Sequence, residues 1–484
     1  MKKLFYTSCC ILFVMLCACN KYLDQSPLSS VQTSNFYTNT NDFQQGVNGV
    51  YNKLRGYPSQ ALWMREMRSD NVVITTDGNR DFQGINDFSP NLTNTAFVVG
   101  AWNNDFNGIY NANNVLDALT TKSGNITDPV LAKRFTAECR FLRAFFYFDL
   151  LRFFGPLPIV DKVLGPTEVA AIPRSDVKDV YDFIVSDLEY AITNLPASYA
   201  AADIGRPTLY AAKGLLGLVY LTKSGPTYGI TGGPGLDSKE YDKALLQFND
   251  IINANVFVFS TDFPSIFSYT NENNKEVVFD IQFATTLNGA EFPSQLTQAA
   301  YFTGLGLSGY DNAYGSSTYN VTKDLLQSFR SAAGAGVIDK RDTSSIQHGF
   351  ALSTATPTVL DTSRPFEKKY INIAKRGTGR ADWPINFIVM RYTDVLLMKA
   401  ECILHGAAGT QADVDGIVNK VRARAGIPAS LVNVNLATLM EERRREFVGE
   451  GLRWDDLVRE GMAVTTMNAW IASDDIPTIN KVIP

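Results

Sequence analysis

Histidine is nearly missing from this chain. Only His348 and His405 occur in 484 residues, and they lie far apart. An imidazole-based metal centre or a His-dependent triad therefore lacks its parts. Cysteine is scarce in the body as well. Cys9, Cys10, Cys17 and Cys19 fall in the first twenty residues, leaving Cys139 and Cys402, both within apolar helical patterns. They read as two buried free thiols, although spacing alone leaves a disulfide open. Positive charge is short too: the net charge is −5, and −7 without Lys2 and Lys3. A phosphate-binding face needs the opposite sign, which argues against nucleic acid as a partner. No Gly-rich phosphate loop, G-x-S-x-G elbow or H-E-x-x-H occurs.

What is abundant is apolar and aromatic. Hydrophobic residues make up 45% of the chain and charged ones 19%, with 30 Phe, 21 Tyr and 5 Trp. That composition fits a globular body with a large core, in one to three domains.

The first residues form a leader. Lys2-Lys3 precedes Leu4–Leu16, an apolar run too short to span a bilayer. Leu16-Cys17-Ala18-Cys19 resembles a bacterial lipobox, with Leu at −3 and small Ala at −1 before Cys19. Cys17 fits worse, because bulky Leu16 precedes it. In such signals the cysteine is acylated and becomes residue one, and several acyl chains give a firm anchor. The alternative is ordinary secretory cleavage with Cys19 incidental. Residues 1–18 are thus read as a signal peptide, 19–34 as a lipidated tether and 35–484 as one domain.

Within that domain the strongest pattern is Arg134–Val160. Phe135, Cys139, Leu142, Phe146, Leu150 and Phe153 recur at steps of three and four, and Phe141, Phe145 and Phe148 occupy a second face. A helix apolar on two faces must be sandwiched between neighbours. Arg134/Glu138 and Asp149/Arg152 have pairing separations, and Gly155-Pro156 stops the run. Further helices are predicted at Asn41–Arg55, Trp102–Leu119, Asp176–Leu195, Thr208–Thr222, Tyr241–Asn255, Tyr392–His405, Ala412–Ala425, Leu436–Glu450 and Arg453–Glu460. Small Ala211, Ala212, Gly214 and Gly217 permit a close crossing of Thr208–Thr222 with Tyr241–Asn255. Such helix pairs resemble tetratricopeptide repeats. Gly56–Val99 and Phe257–Trp383 lack the period and read as irregular, apart from strand-like Glu276–Ile281.

Several stretches together resemble the SusD/RagB family of surface lipoproteins. They are Asn35-Phe36-Tyr37, Ala137–Val160 (AECRFLRAFFYFDLLRFFGPLPIV), Met390–Glu401 (MRYTDVLLMKAE), Asn419–Gly426 (NKVRARAG) and Glu441–Leu457 (EERRREFVGEGLRWDDL). The chain stops at Val482-Ile483-Pro484, short of the Pro-Ile-Pro segment and Asn-Pro-Gly-Tyr-like end with which the family usually closes. This reads as a truncated C-terminus. The resemblance implies a mostly α fold: a tetratricopeptide-like array, about 35–255 and 390–461, with a loop-rich ligand-binding insertion, about 256–389. It implies surface exposure at the outer membrane on a lipid anchor. The implied partner is a TonB-dependent transporter of the SusC kind, and the implied ligand an oligosaccharide or, less often, a peptide. No cofactor, metal or catalysis is implied.

Sugar recognition needs flat rings for apolar sugar faces and short polar groups for hydroxyls. Two loops offer both. Asp77–Phe97 supplies Arg80, Asp81, Phe82, Asn86 and Phe88; Glu291–Tyr319 supplies Phe292, Tyr301, Phe302, Tyr310, Asn312, Tyr314 and Tyr319. The two loops are expected to meet on one side of the array. Asp77–Asp81 has a D-x-N-x-D spacing, but Phe88 stands where a calcium loop needs its bidentate Glu. The Glu441–Glu446 charge run reads as structural ion pairs. A surface glycoside hydrolase and a scaffold that binds only proteins remain as rival readings, because carboxylate geometry is invisible in sequence.

Overall fold

The computed structural model describes residues 36–74, 84–86, 88, 95–229, 232–295, 297–307, 309–310, 319–354 and 358–473. Cys19, Arg80, Asp81, Phe82, Asn312 and Tyr314 lie outside the described residues, as does Asp77–Asp81.

Helix α1 (Thr40–Tyr51) starts at Asn39, whose side chain accepts hydrogen bonds from the Asn41 and Asp42 amides. Helix α2 (Tyr57–Met64) and strand β1 (Val72–Ile74) follow. They break up the stretch 56–99 that sequence leaves irregular. The reason is near-total burial: Leu62, Trp63 and Met64 are all inside, so α2 has no polar face to generate a period.

Helix α3 (Ala96–Thr121) packs against α4 (Pro129–Phe154), and α4 in turn against α5 (Val177–Asn194). Helix α4 is the sandwiched one. It starts at Pro129, earlier than the pattern indicates, with Asp128 accepting from the Val130 amide. Phe135, Phe141, Leu142, Phe146, Phe148 and Leu150 are all buried, whereas Phe153 keeps partial exposure beside the Arg65 guanidinium. Gly155 ends it at φ +65°, where a Cβ would stand 2.0 Å from the Gly232 carbonyl oxygen. Arg134–Glu138 and Arg152–Asp149 pair at 3.1 Å each.

Helices α6 (Leu209–Ser224) and α7 (Tyr241–Asn253) form the next pair. Gly217 lets the ring of Phe248 approach: a Cβ there would come within 2.4 Å of it. Strand β2 (Val277–Ile281) pairs antiparallel with β8 (Phe387–Arg391). Between them lie α8 (Ala299–Gly304), β3 (Tyr319–Val321), α9 (Lys323–Ala333), β4 (Ile346–Gln347), β5 (Phe350–Ala351), β6 (Leu360–Asp361) and β7 (Phe366–Glu367). The insertion is thus built from short helices and two-stranded ladders rather than plain loop. Each element is too short to show a period.

The chain resumes its array with α10 (Tyr392–Leu404), α11 (Gln411–Arg424), α12 (Leu436–Phe447), α13 (Arg453–Arg459) and α14 (Ala463–Ser473). Cys139 and Cys402 are both buried and free, so no disulfide joins them. The α12–α13 charge run turns inward. Arg443 bonds Asp394 and Asp456, Arg445 bonds Glu442, and Arg453 bonds Asp70 and Glu441, each at 2.7 to 3.0 Å. Buried pairs of this kind specify geometry more than they add stability, because both charges leave water.

Candidate functional site

The segments 77–97 and 291–319 have bases that are joined. Strand β1 and strand β3 form an antiparallel ladder with Val72 opposite Val321, Val73 opposite Asn320 and Ile74 opposite Tyr319. The junction is reinforced from below. Thr322 donates its hydroxyl to the Asp70 carbonyl at 2.7 Å and its amide to the Asn71 carbonyl at 2.9 Å. The chain leaves β1 and enters β3 at the same end of this ladder.

Asn86 is fully buried and clamps the backbone beside β1. Its amide donates to the carbonyls of Met67 (2.7 Å) and Val72 (3.1 Å), and its oxygen accepts from the Ile74 amide (3.3 Å). A side chain with three backbone partners at zero exposure positions the segment and leaves nothing for a ligand. Phe88, at φ +53°, is half-buried, its ring centroid 5.3 Å from that of Trp454. Arg68 lies against the same indole, 5.5 Å from its centroid.

In the second segment Phe302 is 1% exposed and Tyr310 8%, so both are packing residues. The Tyr310 hydroxyl donates to the Gly377 carbonyl, and its ring sits 6.0 Å from those of Phe302 and Trp383. Tyr301 is half-buried, against Phe366 at 5.1 Å and Phe350 at 6.1 Å. Of the described residues expected to face a ligand, Phe88 and Tyr301 keep exposed surface, whereas Asn86, Phe292, Phe302 and Tyr310 are interior. Phe302 and Tyr310 belong to the main hydrophobic core, with Tyr301 packed against it, and composition cannot distinguish such rings from a stacking surface.

A polar cleft of about 850 Å³ opens at the foot of the ladder. Gln327, Ser328, Thr438, Arg444, Thr465 and Trp470 are among its walls. Arg444 and Arg453 hold the Asp70 carboxyl there far below its ordinary range, against the upward push of burial. Burial also pushes the Arg68 guanidinium down to about 10, with Asp455 offsetting part of this and Arg65 adding to it.

Sequence reasoning did not single out Trp454, Arg68, which lies over its ring, or Arg376, 5.5 Å from the Tyr310 ring centroid. Trp454 falls within a motif that reads as structural, and the two arginines sit in aperiodic stretches.

Two sequence-family profiles match the chain. One is described as "Starch-binding associating with outer membrane" and covers residues 21–221; the other is described as "SusD family" and covers residues 360–480. A SusD-like protein of Bacteroides ovatus is 27% identical over 460 residues, covering 92% of this chain and 80% of its own length. Among solved structures, a laminarin binding SusD-like protein superposes with a TM-score of 0.74 at 24% identity, covering 93% of this chain and 96% of that one. Surface glycan-binding protein A from Bacteroides thetaiotaomicron, in complex with laminarihexaose, gives 0.73 at 22% identity, covering 89% and 92%. At these identities the structures establish the fold.

Proposed function

Because the chain belongs to the SusD/RagB family, we propose that it captures an oligosaccharide at the cell surface and passes it to a TonB-dependent outer-membrane transporter. The Ile74–Tyr319 pairing carries this reading. It ties together the bases of the two segments richest in rings and short polar groups, near a polar cleft. The binding surface proposed here draws on Phe88 and Tyr301 together with Arg80, Asp81, Phe82, Asn312 and Tyr314. The laminarihexaose complex of the relative supports a glycan as the ligand. No helix among the described residues is long and apolar enough to cross a membrane. Attachment through acylated Cys19 is the matching proposal for localisation.

Binding occurs without turnover in this reading. Calorimetry against a panel of oligosaccharides, laminarihexaose among them, tests it. Saturable binding with the glycan recovered intact is expected. Cleaved product would favour the hydrolase reading, and no binding across the panel would favour the protein scaffold. Co-purification of the transporter with the lipoprotein from outer membranes tests the partner.

A further inference from the structure

Arginines in this protein follow a rule. Among the described residues every interior arginine has a carboxylate in ion-pair range: Arg65 meets Asp149 and Asp455, Arg391 meets Glu276, Glu446 and Glu450, and Arg459 meets Glu401 and Asp456. Half-buried Arg68 and Arg376 have no carboxylate in ion-pair range among the described residues. The Arg68 side chain makes no ion pair or hydrogen bond among the described residues, and its Nε is shut off from water without a partner. It lies over Trp454, which also packs Phe88. Arg376 likewise has a buried, unpartnered Nε and no ion pair among the described residues. It donates only to the Ile373 carbonyl of its own turn and lies 5.5 Å from the Tyr310 ring.

We propose that the captured glycan is anionic, carrying carboxylate or sulfate groups, and that Arg68 and Arg376 receive them. This rests on the glycan-capture reading above. Half-burying a guanidinium without an anion is unfavourable, and a ring contact offsets only part of that. The planar fork accepts a carboxylate or sulfate through two parallel N–H donors, which a hydroxyl cannot match. Stacking on a ring fixes the plane of the fork before the ligand arrives. Asp455, whose charge acts on Arg68, is itself paired with Arg65 at 2.6 Å and Arg152 at 2.7 Å, and it forms no ion pair with Arg68. Both arginines are attached to the ligand segments: Arg68 precedes β1, and Arg376 packs on Tyr310.

The test is calorimetry of the full mature chain with matched probes. An oligogalacturonate is compared with its carboxyl-reduced neutral counterpart, and a sulfated carrageenan oligosaccharide with its desulfated form. The expected result is at least about tenfold tighter binding of one anionic probe than of its neutral match, weakening as salt rises. Arg68→Gln should erase most of that preference while shifting the neutral probe by less than about twofold, with Arg68→Lys intermediate. The carboxylate and sulfate arms tell the two anions apart. Equal or better binding of the neutral forms overturns the anionic inference while leaving glycan capture intact. A preference that survives in the Arg68→Gln, Arg376→Gln double variant, folded by its melting curve, overturns the assignment to these residues. No binding of any anionic probe overturns the inference, and glycan capture then stands or falls on the neutral panel.

Discussion

Glu66 and Glu367 meet carboxyl to carboxyl in the interior, at 0% and 5% exposure. Glu66 already accepts from the Asn71 amide group at 2.7 Å and the Gly451 backbone amide at 3.1 Å. Lys369, an ammonium close to the pair, is committed to Glu450 at 2.8 Å and to the Glu446 carbonyl. Two like charges in such a place cannot both persist, so the pair keeps a proton.

That proton makes stability depend on pH with a defined sign. Burial raises both groups, and the Glu66 charge raises Glu367 further, well above the ordinary carboxylate value. The folded state therefore binds more protons than the unfolded state above about pH 4.5, and stability falls as pH rises through the folded value. Urea melts at several pH values between 5 and 8 should show Glu367→Gln flattening this decline relative to the parent chain. An unchanged slope would remove the pair from the account.

The crossing of α3 and α4 depends on Gly108. A Cβ there would lie 2.4 Å from the Phe146 ring. Gly108→Ala should cost about 1–3 kcal/mol by overpacking. Phe146→Ala should cost about 3–5 kcal/mol by leaving a cavity. The two losses should not add, because the smaller side chain at 146 relieves the clash; denaturant melts of the double variant decide this.

Rings in the ligand segments should separate into two groups. Phe88→Ala and Tyr301→Ala are expected to weaken glycan binding by about tenfold with modest change in melting temperature. Phe302→Ala and Asn86→Ala should lower the melting temperature first, since both side chains are interior. Calorimetry and melting curves on the same four preparations would expose the opposite sorting.

Cys19→Ala is expected to leave the protein unlipidated and to release it from the outer-membrane fraction. Metabolic labelling with a fatty-acid analogue and membrane fractionation read the two effects separately. Labelling that persists at Cys17 would move the anchor two residues upstream.

How much of this was legible in sequence depended on period. Helix α4 announced itself because Phe135 to Leu150 repeat at helical steps, and its Arg134–Glu138 and Asp149–Arg152 pairs follow from the same spacing. Helix α2 did not, because it is short and buried on nearly every side. The loops 77–97 and 291–319 are expected from sequence to meet on one side of the array; the structure shows β1 and β3 beside them paired through a three-residue ladder, too short to leave a pattern. At residue level the reading was weaker. An aromatic loop residue can be a stacking platform or a small core, and Phe302 shows that local composition is the same for both. The arginines over Trp454 and Tyr310 carry no sequence signal, because what marks them is the lack of a carboxylate partner among the described residues.

The ion pairs of α12 and α13 also set an order of events. Asp70 meets Arg444 and Arg453, Arg65 meets Asp455, and Glu66 accepts from Gly451. The first partner in each case is made early and the second nearly last. Leaving one member of such a pair buried alone costs on the order of 3–5 kcal/mol. A chain that has emerged only as far as α11 therefore gains little by closing its N-terminal part around Asp70. Closure of that part is expected to follow the arrival of Arg444, Gly451, Arg453 and Asp455. A chain cut short before α12 would be left open at its beginning rather than at its end.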